Sequence, residues 1–176
     1  MRYVERPGAQ RKGMTVLSDE QGNRFFRLLD KPSLHNKTLY VAFGLMRRLG
    51  LGVGEVCNLR LSDLSLDRDS LLVRGKRRKQ RRLAVRNGVR RLLEDYPANV
   101  QPEFDKALSD GLFLSCTGRA LGRGCLRKSF RLHASRAGVA ATPRALPHYF
   151  RHKSCPQRRQ HPLLAETPGP LLNHDY

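Results

Sequence analysis

Basic side chains able to grip phosphate recur at three places in this chain of 176 residues. The first is the run Arg74, Lys76, Arg77, Arg78, Lys79, Arg81 and Arg82. The second is Arg123, Arg127 and Lys128, and the third is Arg144 within Thr142-Pro143-Arg144-Ala145-Leu146-Pro147-His148. A guanidinium is a planar fork of donors that matches phosphate oxygens, and an ammonium is a compact charge that also binds them. The whole chain carries 34 Lys+Arg against 15 Asp+Glu, a formal net charge of +19. A charge that large repels itself until a polyanion neutralises it, and each bound phosphate releases condensed counterions. Double-stranded DNA is the leading expected partner, although ribosomal or chromatin association would explain the charge equally well.

Other chemistries find little support. Cys57, Cys116, Cys125 and Cys155 form no Cys-x-x-Cys pair and have no histidine at metal-ligand spacing, so neither a disulfide framework nor a metal site is expected. No cofactor and no small-molecule substrate are expected, and free thiols suit a reducing cytoplasm. No apolar run reaches membrane-spanning length, and residues 1–13 are basic and polar without a signal-peptide apolar region.

The elements that must position the basic groups read as one domain of residues 14–150, between a flexible basic lead-in at 1–13 and a tail at 151–176 expected to be disordered. Ser18 and Gln21 form a capping box opening a first helix through Phe25 and Leu29. A second helix spans about 36–49, and a third runs from Gly54 to about Leu61. Leu71 to Arg74 and Arg82 to Val85 read as two strands of a basic hairpin, its turn too charged to be buried. Asn87 caps a helix that Pro97 should end, and residues 101–109 can add a further helical turn. Leu112 to Leu114 reads as a short strand, Arg123 to Ala137 as a basic amphipathic helix stopped by Gly138, and Thr142-Pro143 as the cap and first position of a last helix. The fold class is therefore α+β, mainly helical with a short antiparallel hairpin sheet.

Two stretches carry a resemblance. One is Gly50-Leu51-Gly52-Val53-Gly54-Glu55-Val56-Cys57-Asn58-Leu59-Arg60-Leu61-Ser62-Asp63, followed by Val73-Arg74-Gly75-Lys76; the other is Arg136-Ala137-Gly138-Val139 before Thr142-Pro143. With Leu112-Phe113-Leu114-Ser115 and Gly118-Arg119-Ala120-Leu121 between them, their order and spacing resemble the catalytic domain of tyrosine recombinases, the phage-integrase and Xer-type enzymes, over about 16–150. The resemblance implies the DNA breaking–rejoining fold, DNA and other recombinase subunits as partners, and attack of a tyrosine hydroxyl on a phosphodiester. Two arginines, a lysine and two histidine-type residues then stabilise charge and move protons. It implies Lys76 as the general acid that protonates the leaving 5′ oxygen; one more phosphate-contacting lysine is the equal alternative.

Several catalytic positions are substituted. Gly52 stands where the family carries the arginine that clamps the scissile phosphate, Arg144 replaces a histidine, and Pro147 replaces the second arginine. A proline at 147 also lacks the N–H that should bond back to Pro143, a cost on the order of 3 kcal/mol in a helix interior. His148 matches the family's structural histidine. Residues 1–13 are too short to replace the N-terminal helical clamp of these enzymes.

Beyond Phe150 the family pattern stops. Yet the codons for residues 165–175, read one base later, permit the Leu-Leu-Gly-His motif at the family's spacing, and the same shift at Arg151 permits Ala-Thr after Phe150. A frameshift near codon 150 or 151 is the expected origin of an out-of-frame tail. Tyr176 has the wrong spacing for a nucleophile, and Tyr96 and Tyr149 read as packing or surface residues, so the nucleophile is expected to be absent. The sequence thus predicts a DNA-binding fragment of a recombinase that does not cleave. A non-enzymatic accessory DNA- or RNA-binding basic protein is the alternative.

Overall fold

The computed structural model describes residues 17–75, 79–103 and 109–154. Lys76, Arg77 and Arg78, residues 104–108 within the expected further helical turn, and residues 1–16 and 155–176 fall outside them.

Helix α1 (Asp19–Leu29) starts as its residues predict. Ser18 Oγ accepts from Gln21 N at 3.1 Å and Gln21 Oε1 accepts from Ser18 N at 3.0 Å, so two backbone donors at the helix start are satisfied reciprocally. Helix α2 (Leu34–Leu49) begins two residues before the expected start, because the Ser33 side chain caps it. Gly50 closes it in the left-handed region at φ 68°, and a side chain there would meet the Phe150 ring, with a Cβ 2.6 Å from Cδ1. Glycine is required at that position on both counts.

Helix α3 (Val53–Cys57) is shorter than expected. The chain turns at Asn58 and re-forms a 3₁₀ turn over Leu61–Asp63, where Asp63 Oδ2 accepts from Arg60 N at 3.0 Å. The sheet has three antiparallel strands in the order β1 (Leu64–Ser65), β2 (Ser70–Arg74) and β3 (Gln80–Ala84). The hairpin is as expected with β3 two residues earlier, and Arg74 pairs with Gln80 at the end next to its turn. Strand β1 leaves no period-2 signal because it has only two residues. Leu71 and Val73 face the core while Leu72 and Arg74 face outward, the alternation a pleated strand imposes.

Helix α4 (Asn87–Asp95) ends just before Pro97, as expected, but the chain does not leave the helical path there. Pro97 has no N–H to give to Leu93, and the chain instead widens into a π turn over Tyr96–Val100, with Gln101 N bonding to Tyr96 O, before a 3₁₀ turn over Gln101–Glu103. Tyr96 is fully buried, its hydroxyl 3.0 Å from Thr38 Oγ1. Tyr96→Phe is expected to cost about 1–3 kcal/mol in chemical denaturation, since Thr38 keeps its bond to Leu34 O while the phenol's bonds to Thr38 and to the Leu114 backbone are lost.

Leu112 to Leu114 is buried but is not a strand of the sheet. It makes isolated bridges, Arg60 with Gly111 and Leu114 with Ala120, around a tight turn at Gly118, φ 72°. Helix α5 (Arg123–Arg136) ends at Ala137 with Gly138 left-handed at φ 67°, as expected. Helix α6 begins at Ala145 and continues to Ser154, past Phe150. Pro147 consequently lies in the first turn of α6, where an N–H has no intrahelical acceptor to lose. The penalty expected for a helix interior does not apply.

The core lies where α1, α2 and α5 meet. Phe25 packs 5.4 Å from Phe43 and 5.0 Å from Phe130, centroid to centroid, and Phe43 lies 5.5 Å from Phe130. At its edge His133 Nδ1 is 2.8 Å from Ser129 O, and Ser129 Oγ is 3.4 Å from His35 Nε2. Burial, and secondarily the proximity of His133, hold the His35 imidazole below its ordinary value. A depressed pKa favours the neutral ring in the folded state, so this stabilisation is complete above the unfolded value and is lost as pH falls through about 6.5 toward the folded pKa. Thermal unfolding followed over that window should show His35→Asn losing less stability on acidification than the parent chain.

Candidate nucleic-acid interface

An open cleft of about 780 Å³ is lined by Gly52, Val53, Gly54, Glu55 and Asn58 from the α3 segment, Arg74 and Gly75 at the hairpin, Arg123 and Arg127 on α5, and Thr142, Pro143 and Arg144 ahead of α6. Segments that are far apart in sequence, and that carry most of the residues singled out above, share this one surface.

Gly52 forms the floor. It caps α3 with extended backbone, φ −77° and ψ 158°, and its N–H donates to Glu55 Oε2 at 2.9 Å. Glu55 is held in turn by Arg81 from β3, whose Nη2 lies 3.1 Å from Oε2 and whose Nη1 contacts Oε1. Burial works to raise the Glu55 carboxyl, but the Arg81 and Gly52 hydrogen bonds and the Arg81 charge outweigh it and hold the group below its ordinary value. The carboxylate is therefore ionised and compensated at neutral pH.

Arg74 is also taken. Its Nη1 contacts Asp63 Oδ2, and the Asp63 side chain is 1% exposed against 36% for Arg74. Asp63 Oδ1 is buried without a hydrogen-bond partner among the described residues, so the carboxylate depends on Arg74 and the Arg60 N–H for its compensation. Asp63 and Glu55 were legible as motif residues; their role as anchors of the hairpin arginines was not. The only sequence signal was their position three residues after Arg60 and Gly52, the spacing of a cap.

The remaining candidates divide. Arg123, Arg127 and Arg144 line the cleft and are exposed, and none is paired with a carboxylate among the described residues. Lys79, Arg82 and Lys128 are exposed outside the lining. Pro147 is buried rather than in the cleft. Cys57 sits beside Arg123 and Arg127; burial is the largest influence and pushes its thiol up to about 11, so it is neutral at physiological pH. No cluster of three or more metal-ligating side chains occurs among the described residues.

Residues 15–158 match the model of the phage integrase family. The chain belongs to that family. This integrase-family chain is 28% identical over 159 residues to the tyrosine recombinase XerD of Chlamydia trachomatis, covering 85% of the chain and 50% of the relative. It is 25% identical over 174 residues to XerD of Neisseria meningitidis serogroup A, covering 98% of the chain and 59% of the relative. The chain thus spans about half the length of the curated relatives it matches. Among solved structures, the XerA recombinase superposes with a TM-score of 0.67 at 24% identity, over 80% of this chain and 51% of that one. A λ integrase dimer bound to a COC′ core site gives 0.63 at 14% identity over 78% and 50%. A XerH recombinase bound to its palindromic difH substrate gives 0.63 at 21% over 77% and 40%. The integrase-family domain, mostly helical with its small antiparallel sheet, is therefore the fold expected from the residues. Phe150, the last position of the family pattern read in the sequence, lies eight residues before the end of that match.

Proposed function

We propose that this chain is a DNA-binding form of a tyrosine recombinase catalytic domain that grips duplex DNA without opening it. The observation that carries the reading is the cleft: the segments the family uses to surround a phosphodiester converge there, exposed guanidiniums line it, and Gly52 contributes none. Positive charge in a concave surface holds a polyanion; cleavage additionally requires donors preorganised on the reacting phosphorus oxygens. Gly52 and Pro147 supply no such donor. Lys76 remains assigned as the retained family lysine, with Arg77, Arg78, Lys79, Arg82 and Lys128 as further phosphate contacts beside Arg123, Arg127 and Arg144, whereas Arg74 and Arg81, expected from the sequence to join them, are committed to Asp63 and Glu55. Related recombinases solved on DNA, and a λ integrase tetramer on a Holliday junction, support DNA and further recombinase subunits as partners.

A competition experiment tests the reading. Labelled duplex bound to the purified chain should be displaced by unlabelled duplex of any sequence at similar concentration, and less readily by structured RNA of equal length. Preferential displacement by RNA would favour a ribosome-associated protein, and strong preference for one duplex site would favour a living accessory factor. The frameshift is decided separately, by the gene's bases around codons 145–180: a second reading frame spelling Leu-Leu-Gly-His downstream is the expected result.

A further inference from the structure

We propose that Arg123, Arg127 and Arg144 form a phosphate seat on the wall of the cleft opposite the hairpin, supplying from new positions the guanidinium field that Gly52 no longer provides. This deepens the DNA-binding reading and rests on it. The charges lining the cleft separate into two kinds. Glu55 is compensated by Arg81, and Arg74 by Asp63, so these four contribute little net field to the cleft. Arg123, Arg127 and Arg144 have no carboxylate among the described residues, and Cys57 beside them stays a neutral thiol. Three like charges facing one concavity raise each other's energy until an anion enters.

The backbone favours their convergence. Arg123 and Arg127 are one turn apart on α5 and so share a face. The Arg123 guanidinium lies over Gly54, where an added Cβ would sit 3.3 Å from Cζ, so the glycine lets the fork lie close against α3 and a larger residue would push it back by a few tenths of an ångström. Above Gly52 the cleft is open, the nearest atom to an added Cβ being Glu55 Oε2 at 3.7 Å. Helix α5 starts at Gly122 with no side-chain cap and no acidic residue in its first turn, so the positive end of its dipole adds to the same field. A tetrahedral oxyanion, free or as one phosphodiester of a strand, has the charge and acceptor count to take up these donors.

The test uses the full chain and inorganic phosphate titrated at constant ionic strength, read by calorimetry or amide chemical shifts. Saturable binding is expected, weakened about tenfold or more in R123Q/R127Q/R144Q, the loss of two or three charge-assisted hydrogen bonds. It should persist in R24Q/R86Q/R91Q, which removes the same charge from exposed positions outside the cleft. Unchanged melting temperatures in both variants exclude unfolding as the cause. No saturable binding, or equal weakening in the two triple variants, overturns the seat. If phosphate binding is absent while duplex binding persists, the seat alone fails; if duplex binding is absent while phosphate still saturates, the DNA reading fails instead.

Discussion

A nicked suicide substrate incubated with the purified chain is expected to yield no covalent protein–DNA adduct. The reason is at Gly52 and Pro147. Phosphoryl transfer gathers negative charge on the non-bridging oxygens, and each preorganised donor aimed at that charge is worth about 10²–10³ in rate. Gly52 offers only a backbone N–H, already committed to Glu55 Oε2 at 2.9 Å. Pro147 has neither a side-chain donor nor an N–H, and it is buried in the first turn of α6. Loss of two groups that act independently lowers the rate by about 10⁴–10⁶, below the detection of an adduct on denaturing gels. An adduct trapped at any ordinary enzyme concentration would sink the non-cleaving assignment.

Duplex affinity is expected to fall by at least about 10³ between 50 and 200 mM monovalent salt. That is the loss expected when about six phosphates are neutralised, since log K falls by roughly 0.9 per phosphate for each decade of salt. The three unpaired cleft arginines and the exposed Lys79, Arg82 and Lys128 supply a set of that size, and the proposed contacts of Lys76, Arg77 and Arg78 would steepen the fall. The compensated pairs do not add to it. E55Q/R81Q removes one carboxylate and one guanidinium that already neutralise each other, and the glutamine at 55 still accepts the Gly52 N–H. The slope of log K against log salt should therefore be nearly that of the parent chain, in fluorescence-anisotropy titrations at four or more salt concentrations. A slope near zero for the parent would mean that phosphate contacts do not dominate binding.

Much of the architecture was legible because the relevant signals are local. The Ser18–Gln21 capping box, Gly138 past the end of α5 and the alternation of Leu71 and Val73 each state their structure within a few residues. Where neighbours decided, the reading slipped. Pro97 does end α4, but the π turn that follows was not expected: Tyr96, buried against Thr38, lies in it as the chain widens by one residue. Leu112 to Leu114 has the composition of a strand and full burial, yet it finds only isolated bridges. The same division holds at the cleft. The residue types that surround phosphate were readable; which arginines are already spoken for was not. The Arg74–Asp63 and Arg81–Glu55 pairs depend on how the hairpin lies against the 3₁₀ turn and α3, and no short window of sequence encodes that. Pro147 shows the point in reverse: the cost assigned to it vanished once the helix was found to begin at Ala145.

Gly50 and Gly52 stand two residues apart and tolerate change very differently. At Gly50 any replacement must both adopt a left-handed backbone and displace an aromatic ring, so mutation there is paid in foldedness. At Gly52 the backbone is ordinary and an added Cβ meets nothing nearer than Glu55 Oε2 at 3.7 Å, so a side chain can start there without strain. In a gene released from selection for catalysis, the machinery for breaking strands can erode one codon at a time while the scaffold survives intact. Shape and chemistry thus rest on separate residues of this one short stretch.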